Sequence, residues 1–175
     1  MPGTSEAQTA AQYRARRKAF IAACEKAGAD AISRVHPAKG PDGKPLFCDS
    51  AAFGPRDAAR AVLLVSADAD GAAAALLKDG VAPPAGTRLV LVHALDPFTA
   101  AWGEAGGPPD WPARTLAAIA TEDLKRVQTL TVLAIGVDAR TALAAALPGA
   151  AIAWQAVAAG DAAEAIRAAL KTPDR

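Results

Sequence analysis

The sequence predicts a single α/β domain: a parallel or mixed sheet of about four core strands flanked by helices, preceded by an N-terminal helix and a β-hairpin. Three observations carry this. Short runs of Val, Leu and Ile, apolar on both faces, recur from residue 61 onward, as buried parallel strands require. Alanine-rich segments of helical composition separate them, and strands alternating with helices imply crossover connections with helices on both faces. The length of 175 residues suits one domain with a sizeable core.

Taken in order, residues 1–9 read as a flexible tail and 10–172 as the domain. Ala10 to Ala27 has helical spacing, with Tyr13, Arg17, Phe20, Ile21 and Cys24 on one face and Gly28 as a stop. Ile32 to His36 alternates as a strand, Pro37 to Pro45 is dense in turn residues, and Leu46 to Ser50 resumes an extended pattern; together they predict a hairpin with a wide turn. Ala61 to Ser66 is the first buried strand, Gly71 to Lys78 a helix, and Arg88 to His93 the second buried strand. Residues 99–112, rich in Gly, Pro and Trp, predict a long loop. Thr115 to Val127 predicts a helix, Leu130 to Ile135 a strand, Ala139 to Leu147 a helix, and Ala150 to Val157 a fourth strand with Trp154 in the core. Asp161 is placed to cap a last helix, Ala162 to Leu170.

Composition narrows the function classes. The hydrophobic share is 52%, but much of it is alanine, so burial rests on the Val/Leu/Ile strands. A net charge of +1 gives no general attraction to nucleic acid or to an anionic membrane. The one basic run, Arg14, Arg16, Arg17 and Lys18, reads as a solvated helix face, with no interleaved aromatics to stack on bases. No apolar run approaches membrane-spanning length and the N-terminus has no signal core, so the expected location is cytoplasmic. The two cysteines, Cys24 and Cys48, have no CxxC pairing and read as free thiols, Cys24 buried on its helix.

A set of residues in fixed order carries a family resemblance: the helix Tyr13 to Phe20, then His36-Pro37, Gly40-Pro-Asp-Gly43 with Leu46 and Asp49, the strand Val62 to Ser66, and Val92-His-Ala-Leu-Asp-Pro-Phe98. Over residues 10–103 the chain resembles an uncharacterised bacterial family of zinc-carboxypeptidase-like proteins, near the succinylglutamate desuccinylase and aspartoacylase hydrolases. The resemblance implies a zinc site. In the family the strand ending at Ser66 runs into a Ser-Gly-Thr-His-Gly-Val-Glu-Gly segment, whose His and Glu bind the metal with a more distant His. Here that segment is Ser66-Ala-Asp-Ala-Asp-Gly-Ala-Ala73, which puts Ala69 and Ala72 at the ligand positions. No histidine follows His93, and the family's Asn-Val-Asp-Leu-Asn-Arg-Asn-Phe type segment is absent. The resemblance is to a degenerate, truncated member, and no zinc cofactor is expected.

Ligands of open α/β sheets bind at the carboxyl ends of the strands. Those ends carry Asp68 and Asp70, His93 and Asp96, and Asp138. If the first two buried strands are neighbours, Asp68, Asp70 and His93 form a candidate catalytic or metal site, with magnesium as one possible ion. The competing reading makes Asp68 or Asp70 a helix cap and His93 a backbone-bonding turn residue closed by Asp96-Pro97. Asp68-Ala-Asp70-Gly71 after a buried strand also resembles the first motif of the haloacid-dehalogenase phosphatases, without the Thr or Val usual at position 72 and with no later Asp-Asp pair. Asp96, Trp102 and Trp111 are candidate ligand or partner contacts; the tryptophans can equally pack over the sheet edge.

The leading functional expectation is therefore a non-catalytic or diverged relative of carboxypeptidase-like zinc hydrolases that binds a small ligand, a protein partner or itself. One alternative is a hydrolase of amides, esters or phosphates with a relocated Asp68/Asp70/His93 site. A second is an oligomerisation or partner module built on the 99–112 loop.

Overall fold

The computed structural model describes residues 6–39, 45–66, 78, 83–92, 111–136 and 140–171. Ten α-helices and strands span them, with a short 3-10 helix, Ala159–Asp161, before the last: α1 (Glu6–Lys26), β1 (Ala31–Lys39), β2 (Pro45–Phe53), β3 (Arg60–Ser66), β4 (Thr87–Val92), α2 (Trp111–Asp123), β5 (Thr129–Ile135), α3 (Arg140–Ala146), β6 (Ala151–Ala156) and α4 (Ala162–Lys171). The segment expected as a helix at 71–78 lies outside the described residues, save Lys78.

The strands form one mixed sheet in the order β1-β2-β4-β3-β5-β6. The four core strands expected from the sequence are its parallel part: β4, β3, β5 and β6 all run the same way. The hairpin β1–β2 extends it on one side, β2 pairing antiparallel with β4.

Alternation along the strands builds two cores. Ala61, Leu63, Val65, Val90, Val92 and Val132 face α2 and α3, where they meet Leu116, Ile119, Leu124 and Leu143. Val62, Leu64, Leu89, Leu91 and Leu133 face α1 and α4, where they meet Phe20, Cys24, Ile166 and Leu170. A strand enclosed on both faces must be apolar at every position, which is why β3 and β4 read as unbroken apolar runs.

Several boundaries differ from the sequence reading, each for a physical reason. Helix α1 opens at Glu6, so residues 6–9 of the expected tail are helical; Glu6, Ala7 and Gln8 are good helix formers and nothing in Glu6-Ala-Gln-Thr9 breaks the pattern. Strand β1 runs on through His36 and Pro37 to Lys39, with a register irregularity between Val35 and Ala38 that accommodates the missing proline N–H at the sheet edge. Helix α2 begins at Trp111, so Trp111 and Pro112 belong to a helix and not to the expected loop; proline fits a first helical turn, whose N–H groups have no intrahelical acceptor. It ends at Asp123, before Val127. Trp154, expected in the core, is half-buried, because β6 is an edge strand covered on one face only.

Candidate functional site

Parallel pairing brings the strand ends into register. Leu64 of β3 lies beside Leu91 of β4, and Ser66 of β3 beside Ile135 of β5. The carboxyl ends of β3, β4 and β5 therefore share one edge of the sheet. The chain moves from β3 outward to β4, then crosses back over β3 to β5 and on to β6. The direction of winding reverses between β3 and β5, and crevices at such reversals are where doubly wound sheets hold ligands. Just past β5, Gly136 turns the chain with φ of 69°, a left-handed conformation suited to glycine.

Asp68 and Asp70 follow β3 in the chain, and His93 and Asp96 follow β4. The condition set on the sequence, that these two strands be neighbours, is met. The positions of Asp68, Asp70, His93, Asp96, Trp102 and Asp138 lie outside the described residues, as do Ala69 and Ala72. Trp111 is placed as the first residue of α2, but its side chain is likewise outside them.

The described structure contains a polar cluster that the sequence reading missed, on the α2 face of the sheet. Arg88, 2% exposed, is the largest fully buried side chain. Its Nη1 donates to the Gly54 carbonyl at 2.7 Å, and its Nη2 stands 3.8 Å from Asp123 Oδ1. The Ser50 hydroxyl donates to Asp123 Oδ2 at 3.1 Å. Gly54 N donates in turn to Asp30 Oδ2 at 2.6 Å. Asp123 closes α2, where the negative end of the helix dipole opposes a carboxylate; the Arg88 charge and the Ser50 hydroxyl offset both that and the loss of water. Burial pulls the Arg88 pKa down, while Asp123 and then Asp30 push it back up and Arg56 lowers it again. The signal was present in the sequence: an arginine at the head of an otherwise apolar strand, and an aspartate at a helix end that prefers cations.

Near the amino ends of β3 and β4, Arg60 Nη1 donates to Thr87 Oγ1 at 3.1 Å and its Nη2 to the Ala169 carbonyl, tying both strands to the end of α4. A shallow groove of about 370 Å³ opens beside the amino end of β5, lined by Thr121, Lys125, Arg126, Gln128, Leu147 and Pro148. It offers cations and amides but no acid–base pair. Cys24 is fully buried, and burial, aided by Glu25, pushes its thiol up to about 12, so it stays protonated and is no nucleophile at neutral pH. Among the described residues no three His, Cys, Asp or Glu side chains cluster so as to hold a metal ion. No helix among them is long and apolar enough to cross a membrane.

The model of a family described as a protein of unknown function, DUF2817, matches residues 10–107, more than half of the chain. The chain belongs to the DUF2817 family. The match runs over nearly the same residues as the resemblance to carboxypeptidase-like proteins read from the sequence. No curated protein matches this DUF2817 chain. Among solved structures, it is similar to a candidate zinc-dependent exopeptidase from Bacteroides vulgatus, with a TM-score of 0.53 at 9% identity over 99% of this chain and 98% of that one. It is also similar to the glutaminyl cyclase of Tannerella forsythia, with a TM-score of 0.52 at 8% identity over 99% and 100%. Porphyromonas gingivalis glutaminyl cyclase matches at 18% identity and a TM-score of 0.46, over 76% of this chain. The DUF2817 chain spans about half of that enzyme, 52%. At these identities the first two likenesses establish a shared fold.

Proposed function

We propose that this chain is a diverged relative of the zinc hydrolases that acts by binding a small ligand or protein partner, without zinc chemistry. One observation carries the reading. At the two positions where the family resemblance requires a metal-binding His and Glu, the sequence has Ala69 and Ala72. Catalytic zinc takes three protein donors and one open position. Alanine offers no donor at either position. The ligand enters at the carboxyl ends of the parallel strands, in the crevice between β3 and β5 where the winding reverses. Asp96, Trp102 and Trp111 are the residues that the sequence offers for contacts with it. Nucleic acid and membranes are not partners in this reading, given a net charge of +1, and the protein works in the cytoplasm.

Elemental analysis of protein purified without added metal tests it directly. Zinc far below one equivalent is expected, and a full equivalent overturns the reading.

The adjacency of β3 and β4 favours one second reading: a hydrolase whose site has moved to Asp68, Asp70 and His93, with magnesium as its ion. It requires Asp68→Ala to abolish hydrolysis of an amide, ester or phosphate substrate at an unchanged melting temperature. A lowered melting temperature instead assigns Asp68 a role in stability.

A further inference from the structure

The two edges of the sheet are treated differently by the sequence. At one edge, β1 carries Arg34, Pro37 and Lys39 and a register irregularity between Val35 and Ala38. Charge, proline and bulge are the devices that stop an edge strand from pairing with another chain. At the other edge, β6 has none of them. From Ala150 to Gly160 there is no charged residue and no proline, and β6 pairs with β5 through six successive residues without irregularity. Among the described residues, no strand covers its outer side.

The direction of the free hydrogen-bonding groups follows from the bonds already made. Ala151 N donates to Gln128 O at 2.8 Å and Val157 N to Ala134 O at 2.9 Å, both toward β5. Alternate residues of a strand point their backbone groups to the same side, so Ala153 and Gln155 also turn toward β5. Ile152, Trp154 and Ala156 therefore direct their N–H and C=O groups outward. Ile152 and Trp154 are only half-buried against the α2/α3 core, while Ala151, Ala153, Gln155 and Ala156 are exposed.

We propose that β6 is a dimerisation edge, on which a second copy of this chain pairs antiparallel about a two-fold axis at Ala153, joining two sheets into one. The strand is self-complementary in that register. Ile152 of each copy lies opposite Trp154 of the other, an aromatic and β-branched pairing that stabilises antiparallel strands, and the outward backbone groups of both residues satisfy one another. No charges meet across the axis. A six-residue strand is ~20 Å long, and the single helix layer that covers β6 makes the seam ~20 Å deep. That gives roughly 400 Å² per partner, or about 800 Å² in all, a small interface held chiefly by the paired backbone. A two-fold pair consumes both β6 edges and leaves the blunted β1 edges outermost, so assembly stops at two copies.

Light scattering on the eluting full-length protein in the micromolar range tests this. A mass twice the 17.6 kDa of one chain is expected. Ala153→Lys and Ala153→Glu each set like charges against each other on the axis, and each variant is expected to raise the dissociation constant at least tenfold, with an unchanged far-UV circular dichroism spectrum. Mixing the two restores the dimer. Ala156→Pro, which removes an outward N–H and no bond to β5, weakens the dimer independently if either charged variant folds poorly. Wild-type protein at the mass of one chain overturns the proposal, whatever else lies along that edge. So does a folded Ala153→Lys variant that remains fully dimeric. A Lys/Glu mixture that stays monomeric overturns the pairing about Ala153. None of these results depends on whether the protein binds zinc.

Discussion

Arg88 Nη2 stands 3.8 Å from Asp123 Oδ1, with only 2% and 6% of the two side chains open to solvent. The pair joins the head of a central strand to the end of α2, and through Ser50 and Gly54 it reaches the hairpin strand β2. Removing one partner strands the other charge in the core. Asp123→Ala is expected to cost about 3–5 kcal/mol in denaturant unfolding. Arg88→Met combined with Asp123→Ala should recover much of that loss, because no buried charge is then left alone. A double variant whose loss equals the sum of the two single losses would show that the pair is not coupled.

Gly54 and Gly28 both hold positive φ, 104° and 95°. They differ in surroundings: a Cβ on Gly54 would lie 2.4 Å from the Thr87 carbonyl oxygen, whereas a Cβ on Gly28 meets nothing within 4 Å. Gly28→Ala should cost only the left-handed backbone penalty, about 1–2 kcal/mol. Gly54→Ala must also displace β4 at the point where Arg88 is anchored, so a larger loss is expected. Comparing their denaturation midpoints checks the order, and equal losses would contradict the close approach.

The Cys24 thiol sits at about 12 in the folded protein against an ordinary value of 9.0. A group raised on folding contributes stability that is complete below its unfolded value and lost as pH climbs toward the folded one. Cys24 should therefore erode stability between about pH 9 and 12, by up to ~1.4 kcal/mol per pH unit. Cys24→Ala removes that component, so its stability should fall less steeply over the same range, whatever its constant packing loss. Parallel pH curves for the two proteins would refute the assignment. The native thiol should also resist labelling at pH 8 until the chain is unfolded.

Metal addition bears on the proposed function. An ion at a hundred times its dissociation constant stabilises a folded protein by about 2.7 kcal/mol. Neither zinc nor magnesium should raise the melting temperature if the hydrolase site is gone. A rise with magnesium that Asp68→Ala abolishes would instead support the relocated site.

The parallel strands were legible because burial on both faces leaves an unmistakable trace: Ala61 to Val65 and Leu89 to Val92 have no polar residue to place on a wet side. The hairpin was legible from Pro and Gly density between two extended runs. Trp111 was misplaced because tryptophan, proline and glycine crowd its neighbourhood, and local composition does not distinguish a loop from the first turn of a helix. The partial exposure of Trp154 was not legible, because it depends on which segments lie beside β6.

By itself the sequence determined the α/β class, the hairpin and the identity of the parallel strands. These are properties of single residues and of short-range periodicity. Only the tertiary structure decided the strand order, the adjacency of β3 with β4 and β5, the burial of Arg88 against Asp123, and the contrast between a blunted β1 edge and an open β6 edge. Each of those depends on which distant segments meet, and pairing between segments is set by the packing of the whole chain, which no local pattern encodes.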